Sequence, residues 1–248
     1  MIHNNSIMKH LNCARLFFAA GLILNLVAAG SAQAQIAKWT FETSLPAGTP
    51  GAGVWLTNVA PEIGSGSASG WHAGAATYSN PVGNGSAHSF SANTWAVGDL
   101  YQFASSTAGF NNISVSYDQT SSGTGPGKFD FQYSTDGSTF STYTGSYTVN
   151  SNAAPNPAWN AVTSSSLYSY SYDLSAVTVL NNANVWFRLV DSSTVSAGGG
   201  VTAAGGTDRV DNFTIAVVPE PQGLPLVGGF GVLAWSFVRR RRQGRITK

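Results

Sequence analysis

Phe129-Asp130-Phe131-Gln132-Tyr133-Ser134-Thr135-Asp136-Gly137-Ser138-Thr139-Phe140 decides the fold class. Phe129, Phe131 and Tyr133 alternate with Asp130, Gln132 and Ser134, the period-two pattern of a strand with one buried face. Asp136-Gly137 then supplies the hairpin tip, where glycine accepts the positive φ that other residues resist. The same alternation recurs on both sides. Ile113, Val115 and Tyr117 alternate with Ser114 and Ser116, and Tyr168, Tyr170 and Tyr172 alternate with serines. Val185-Trp186-Phe187-Arg188-Leu189-Val190 reads as a more fully buried strand, with Trp186 in the core. In the last run, Val210, Asn212, Thr214 and Ala216 are expected on one face, and Asp211, Phe213, Ile215 and Val217 on the other. Ser121–Gly127 and Ser196–Gly206 are loops by composition, and Asp173–Asn181 is expected to hold one helical turn. Lys, Glu and Leu, which build exposed helices, are scarce. No repeat of fixed period points to a propeller or solenoid. The expectation is an all-β, jelly-roll-like antiparallel β-sandwich over residues 35–217.

Both ends of the chain read as addresses. After Lys9 and Arg15, the apolar stretch Leu16–Ala29 and the small residues Ser31-Ala32-Gln33-Ala34 form a signal peptide, residues 1–34, with cleavage expected after Ala34. Val218-Pro219-Glu220-Pro221 cannot continue a strand, because two prolines lack ladder donors. Residues 223–238 carry no charge and, as a transmembrane helix, would span about 24 Å. Arg239, Arg240, Arg241 and Arg242 would hold the far end on the cytoplasmic side, leaving the β-rich domain exported.

Charge and cysteine usage narrow the function classes. Between residues 35 and 218 only Lys38, Lys128, Arg188 and Arg209 are basic, against ten acidic side chains. Such a surface repels phosphate backbones, so nucleic acid is not expected as a partner. The single cysteine, Cys13, lies in the leader, so the mature domain has no thiol for disulfides or metal. Gly-x-Ser-x-Gly, His-Glu-x-x-His and phosphate-cradling Gly loops do not occur, and only His72 and His88 lie in the domain. The acids sit mostly at strand ends or beside turn residues. A non-catalytic protein is therefore expected, with a secreted hydrolase as the third-ranked alternative.

Pro219-Glu220-Pro221, the apolar stretch and the Arg cluster together resemble the PEP-CTERM sorting signal of Gram-negative, exopolysaccharide-producing bacteria. The resemblance covers about the last 30 residues of 218–248. It implies processing by signal peptidase and exosortase, an inner-membrane intermediate, and delivery to the outer surface or extracellular matrix. Pro225 inside the apolar stretch and six residues beyond the Arg run depart from the pattern. A plain membrane anchor would use the same apolar and basic segments but leave Pro-Glu-Pro unexplained.

The domain itself resembles carbohydrate-binding and adhesion jelly rolls at three places: Trp39-Thr40-Phe41-Glu42, the Tyr133–Phe140 hairpin, and Arg209-Val210-Asp211-Asn212-Phe213. In such folds the first and last strands are neighbours. The resemblance thus makes Glu42 and Asp211 the candidate ligands of a structural calcium ion, which needs six to eight oxygens. The competing reading has Asp211 capping a turn and Glu42 solvated; no cofactor is required. Arg209 is expected in an ion pair with Asp208, Asp191 or another acid. Trp55, Trp71, Trp95 and Trp159 stand in loop-like contexts, and Trp71 and Trp159 are the foremost candidates to stack on a sugar ring. The main expectation is a structural or adhesion component associated with exopolysaccharide; the alternative is a lectin-like carbohydrate-binding module with a defined glycan ligand.

Overall fold

The computed structural model describes residues 34–218. The leader, the Pro219-Glu220-Pro221 motif, the 223–238 stretch and the Arg239–Arg242 cluster lie outside the described residues. Twelve strands follow in order: β1 Gln35–Trp39, β2 Leu56–Val59, β3 Gly66–Trp71, β4 Tyr78–Ser79, β5 Phe90–Ala92, β6 Leu100–Ser105, β7 Ile113–Ser121, β8 Lys128–Ser134, β9 Ser141–Thr148, β10 Ser169–Asp173, β11 Val185–Asp191 and β12 Asp208–Val217. The described helices are two short 3-10 turns, Ser166–Tyr168 and Thr178–Leu180, the second within the segment where a helical turn is expected.

The strands make two antiparallel sheets. Sheet 1 runs β10-β7-β12-β5-β4, and sheet 2 runs β2-β3-β6-β11-β8-β9. β12 is the hub of sheet 1. It pairs with β7 along its length on one side, and on the other with β5 through Asp208–Val210 and with β1 through Phe213–Ala216. Aromatic side chains join the two layers. Trp39 meets Phe103 at 5.4 Å, Phe103 stacks on Phe213 at 3.6 Å, and Tyr117 reaches Phe131 at 6.3 Å. All five side chains are essentially inaccessible to solvent. Each buries area worth about 1.5–3 kcal/mol, so a domain without disulfides is held by this layer.

The alternation expected in the last strand is broken. Asp211 lies opposite Asp118 and Thr214 opposite Ser116, so β12 carries one extra residue there, with Asn212 at φ 53°. This is a β-bulge, and Asn is among the residues that tolerate the left-handed region. Val210 before the bulge and Phe213 and Ile215 after it all reach the core. Strict alternation over four residues would have put Val210 and Phe213 on opposite faces.

Several carboxylates are buried at strand ends. Asp208 accepts from Gln119 Nε2 at 3.0 Å and from Ser121 Oγ at 2.8 Å. Arg209, expected in an ion pair, makes none among the described residues, and its Nε has no hydrogen-bond partner. Asp191 is 1% exposed; its Oδ1 accepts from Ser193 N at 3.2 Å while its Oδ2 has no partner. Burial, reinforced by the charge of Asp99, pushes the Asp191 carboxyl up to about 6. Burial also pushes Asp208 upward. The folded state therefore holds these protons more tightly than the unfolded chain. The contribution of Asp191 to stability is full below about pH 4 and is lost as pH rises through about 6, and the Asp208 contribution has the same sign. We expect the thermal midpoint to fall between about pH 4 and pH 7. Asp191→Asn should flatten part of that slope and stabilise the protein at pH 7 by on the order of 1–2 kcal/mol. Thermal melts of both proteins across this range check it; an unchanged slope in the variant would contradict it.

Candidate functional site

The outer face of sheet 2 is set by parity. Phe103, Phe131, Phe187 and Leu189 are fully buried, so their neighbours Gln102, Gln132, Trp186 and Arg188 point away from the core. On β3, Ala68 is inward and Ser67, Ser69 and Trp71 are outward by the same rule. Ser69, Gln102, Arg188 and Gln132 stand side by side across four strands. In the next row Ser67, Ala104, Trp186 and Ser134 are likewise in register.

Aromatic rings bracket this row of polar side chains. Trp71 is half-buried at the end of β3; its Nε1 donates to Gly53 O at 3.1 Å, and its ring lies 6.4 Å from that of Trp55. The Arg188 guanidinium sits 3.4 Å over the Phe140 ring and 5.8 Å from the Trp55 ring, and its Nε donates to Gln102 Oε1 at 2.8 Å. Burial pushes this guanidinium down to about 10, which leaves it charged at neutral pH. Trp186 is half-buried and borders a depression of ≈ 270 Å³ lined by Ser65, Ser67, Ser105, Ser106 and Asn184. The tip of the β8–β9 hairpin seats against Trp186. Gly137 has φ 72°, and a Cβ there would stand 3.2 Å from the indole. Asp136 fixes that tip by accepting from Ser138 N and Thr139 N, both at 2.7 Å, which holds its carboxyl down to about 2.

Indole faces beside hydroxyl and amide groups can stack on the apolar face of a ring and bond its equatorial hydroxyls. Of the two tryptophans singled out in the sequence, Trp71 belongs to this face and Trp159 does not. Trp159 is 6% exposed, packs edge-on to Tyr168 at 5.4 Å and donates from Nε1 to Val82 O at 2.6 Å. Its loop context gave no sign that the connection folds back over the sandwich and buries the ring. Trp95 is buried as well, bonded to Ala92 O at 2.9 Å. Trp186, expected in the core, is instead on the outer face. The alternation of Val185, Phe187 and Leu189 with Trp186, Arg188 and Val190 was the signal that could have placed it.

Glu42 and Asp211 approach one loop, residues 83–88. Asp211 Oδ2 accepts from Asn84 N at 2.9 Å, Ser86 Oγ at 2.6 Å and Asn212 Nδ2 at 3.2 Å, and Oδ1 accepts from Asn212 N at 2.7 Å. Glu42 Oε1 accepts from His88 N at 2.9 Å. Burial pushes the Asp211 carboxyl up to about 6 against the pull of these bonds. N–H and O–H donors are what satisfy a carboxylate by itself. At this loop such donors meet both Asp211 oxygens and Glu42 Oε1. Among the described residues no group of three or more His, Cys, Asp or Glu side chains is placed to hold a metal ion. A side chain at position 83 would collide with this network, since a Cβ on Gly83 falls 2.2 Å from Asp211 Oδ2.

No protein-family model and no curated protein matches the chain. Solved structures with a similar arrangement of strands include TmCBM61, determined with β-1,4-galactotriose, at 10% identity over 71% of this chain and 92% of that one, with a TM-score of 0.37. The carbohydrate-binding module CtCBM11 aligns at 12% identity over 77% of this chain and 99% of that one, with a TM-score of 0.40. The K2 adhesin domain of Lys-gingipain aligns at 16% identity over 77% of this chain and all of that one, with a TM-score of 0.39. The described residues themselves form a two-sheet antiparallel β-sandwich.

Proposed function

We propose that this chain is an exported, non-catalytic carbohydrate-binding protein that holds a glycan on the outer face of sheet 2. One observation carries the reading: Trp55, Trp71, Trp186 and Phe140 bracket a row of Ser69, Gln102, Arg188 and Gln132, beside a hydroxyl-lined depression. Rings supply stacking surface, and serine and amide groups supply donors and acceptors for sugar hydroxyls. This favours a lectin-like module with a discrete site over a diffuse coat component. The PEP-CTERM resemblance at Pro219-Glu220-Pro221 and Arg239–Arg242 adds the route. Signal peptidase and exosortase would process the chain and deliver it to the outer surface or matrix of a Gram-negative cell, where exopolysaccharide is the available ligand.

The test is affinity electrophoresis of the protein in gels containing the producing organism's exopolysaccharide. Trp71→Ala and Trp186→Ala are each expected to weaken retention about tenfold, roughly 1.4 kcal/mol, without changing the thermal midpoint by more than a few degrees. Trp159→Ala should behave oppositely. It removes a buried ring, lowers stability by about 3–5 kcal/mol, and leaves the retention of the remaining folded protein intact. Undiminished retention in both Trp71→Ala and Trp186→Ala would remove sheet 2 as the binding face.

Because Glu42 Oε1 and both Asp211 oxygens are already met by N–H and O–H donors, we expect the same thermal midpoint in millimolar calcium and in chelator. A calcium-dependent rise of several degrees, abolished by Glu42→Gln, would instead establish a structural ion at that loop.

A further inference from the structure

We infer, resting on the glycan reading of the sheet-2 face, that Arg188 is the receptor for an acidic group, so that the sugar selected there is anionic. Residues 35–218 contain ten acidic side chains and four basic ones, so an arginine in this domain has acids in excess to pair with. Arg188 nevertheless has no carboxylate within ion-pair distance among the described residues. Its position is fixed by other means. Gln102 Oε1 takes the Nε–H at 2.8 Å, Phe140 lies 3.4 Å from the guanidinium carbon, and Trp55 lies at 5.8 Å. These contacts engage the Nε side and the flat faces of the group. The fork formed by its two terminal nitrogens is left as the edge with donors to spare.

That fork matches two oxygens of a carboxylate or a sulfate in a bidentate pair. Holding its plane in advance reduces the side-chain entropy lost when a ligand binds. A half-buried cation without a counter-charge is unfavourable in the free protein, and an acidic sugar relieves that where a neutral one does not. The other three cations do not share this setting. Lys38 lies on β1 and Arg209 on β12 in sheet 1, and Lys128 begins β8 with its side chain exposed. The flanking Trp71 and Trp186 indoles bind ring faces irrespective of charge, so Arg188 is the element that reads charge.

Titration of the full-length chain with three soluble polymers tests this: neutral galactan, polygalacturonate and sulfated galactan. The native chain is expected to bind at least one acidic polymer about tenfold or more tightly than the neutral one, with a preference that weakens as salt is added. The tighter of the two acidic arms identifies the anion as carboxylate or sulfate. In Arg188→Gln the ratio of acidic to neutral affinity should collapse toward one, and Arg188→Lys, which keeps the charge but loses the fork, should fall between. Near-UV circular dichroism confirms that each variant is folded; if Arg188→Gln is not, Arg188→Lys and the salt dependence of the native chain decide. Equal binding of acidic and neutral polymers by the native chain, or an unchanged ratio in Arg188→Gln, overturns the inference and leaves glycan binding standing. Failure of the native chain to bind any of the three, or its own exopolysaccharide, overturns the glycan reading itself.

Discussion

The bulge at Asn212 is the constraint on which the sandwich depends. β12 is asked to serve three neighbours, with β7 on one side and β5 and β1 sharing the other. Inserting one residue between Asp211 and Thr214 swaps the inward parity halfway along the strand. Val210 can then fill the core beside β5, while Phe213 fills it beside β1 and stacks on Phe103 of the opposite sheet at 3.6 Å. The residue just before the bulge, Asp211, has its carboxylate met by the 83–88 loop. One backbone irregularity thus sets the central aromatic contact between the layers and the anchor of a connecting loop. Asn is suited to it because its short polar side chain reaches back to local acceptors. Asn212 Nδ2 donates to Asp118 Oδ2 at 3.0 Å and to Asp211 Oδ2 at 3.2 Å.

The long connection between β9 and β10 explains why the two sheets differ in what their outer sides can do. Gly85 N donates to Asn160 O at 2.8 Å, Ser165 N donates to Asn84 Oδ1 at 2.8 Å, and Asn84 Nδ2 returns a bond to Ser165 O at 3.0 Å. Trp159 closes the same junction through Val82 O. The connection is therefore tied to the loop that precedes β5 of sheet 1, and its large aromatics are used as packing. On sheet 2 the outward Ser67, Trp71, Gln102, Trp186, Arg188 and Gln132 remain half-exposed.

Much of this was legible in the sequence, and the failures have physical causes. Period-two runs at Phe129–Ser134, Ile113–Tyr117 and Tyr170–Tyr172 gave the fold class, because a half-buried strand imposes that period directly, whereas Tyr168 closes a 3-10 turn just before β10. The Asp136-Gly137 tip was readable for the same local reason. Val210 was set on the face opposite Phe213, and Trp186 was set in the core, for two different reasons. A bulge changes parity without altering composition, so Val210 to Ala216 looked regular. Trp186 is large and apolar, and hydrophobicity outweighed the alternation that Val185, Phe187 and Leu189 displayed. Trp159 shows the limit of local context: its neighbours read as loop, and only the tertiary bonds to Val82 and Tyr168 bury it. Arg188 was invisible as a site residue because its partners, Gln102 and Phe140, are 86 and 48 positions away.

The charge pattern carries the last step. With few ionic side chains, the polar side chains of the domain are mainly serine, threonine and asparagine, which exchange hydrogen bonds with water at little net gain. Binding energy on such a surface has to come from places where water is already displaced. On sheet 2 those places are the indoles of Trp55, Trp71 and Trp186 and the ring of Phe140, which partly desolvate the polar row between them. A hydrogen bond or ion pair formed inside that row is stronger than one at the exposed serines of the sheet edges, because the local dielectric is lower. The same desolvation that depresses the Arg188 guanidinium concentrates its attraction on whatever oxygen pair replaces the lost water. In the proposed site rings and cation therefore act as one unit: the aromatics create the dry setting, and Arg188 is the cation within it.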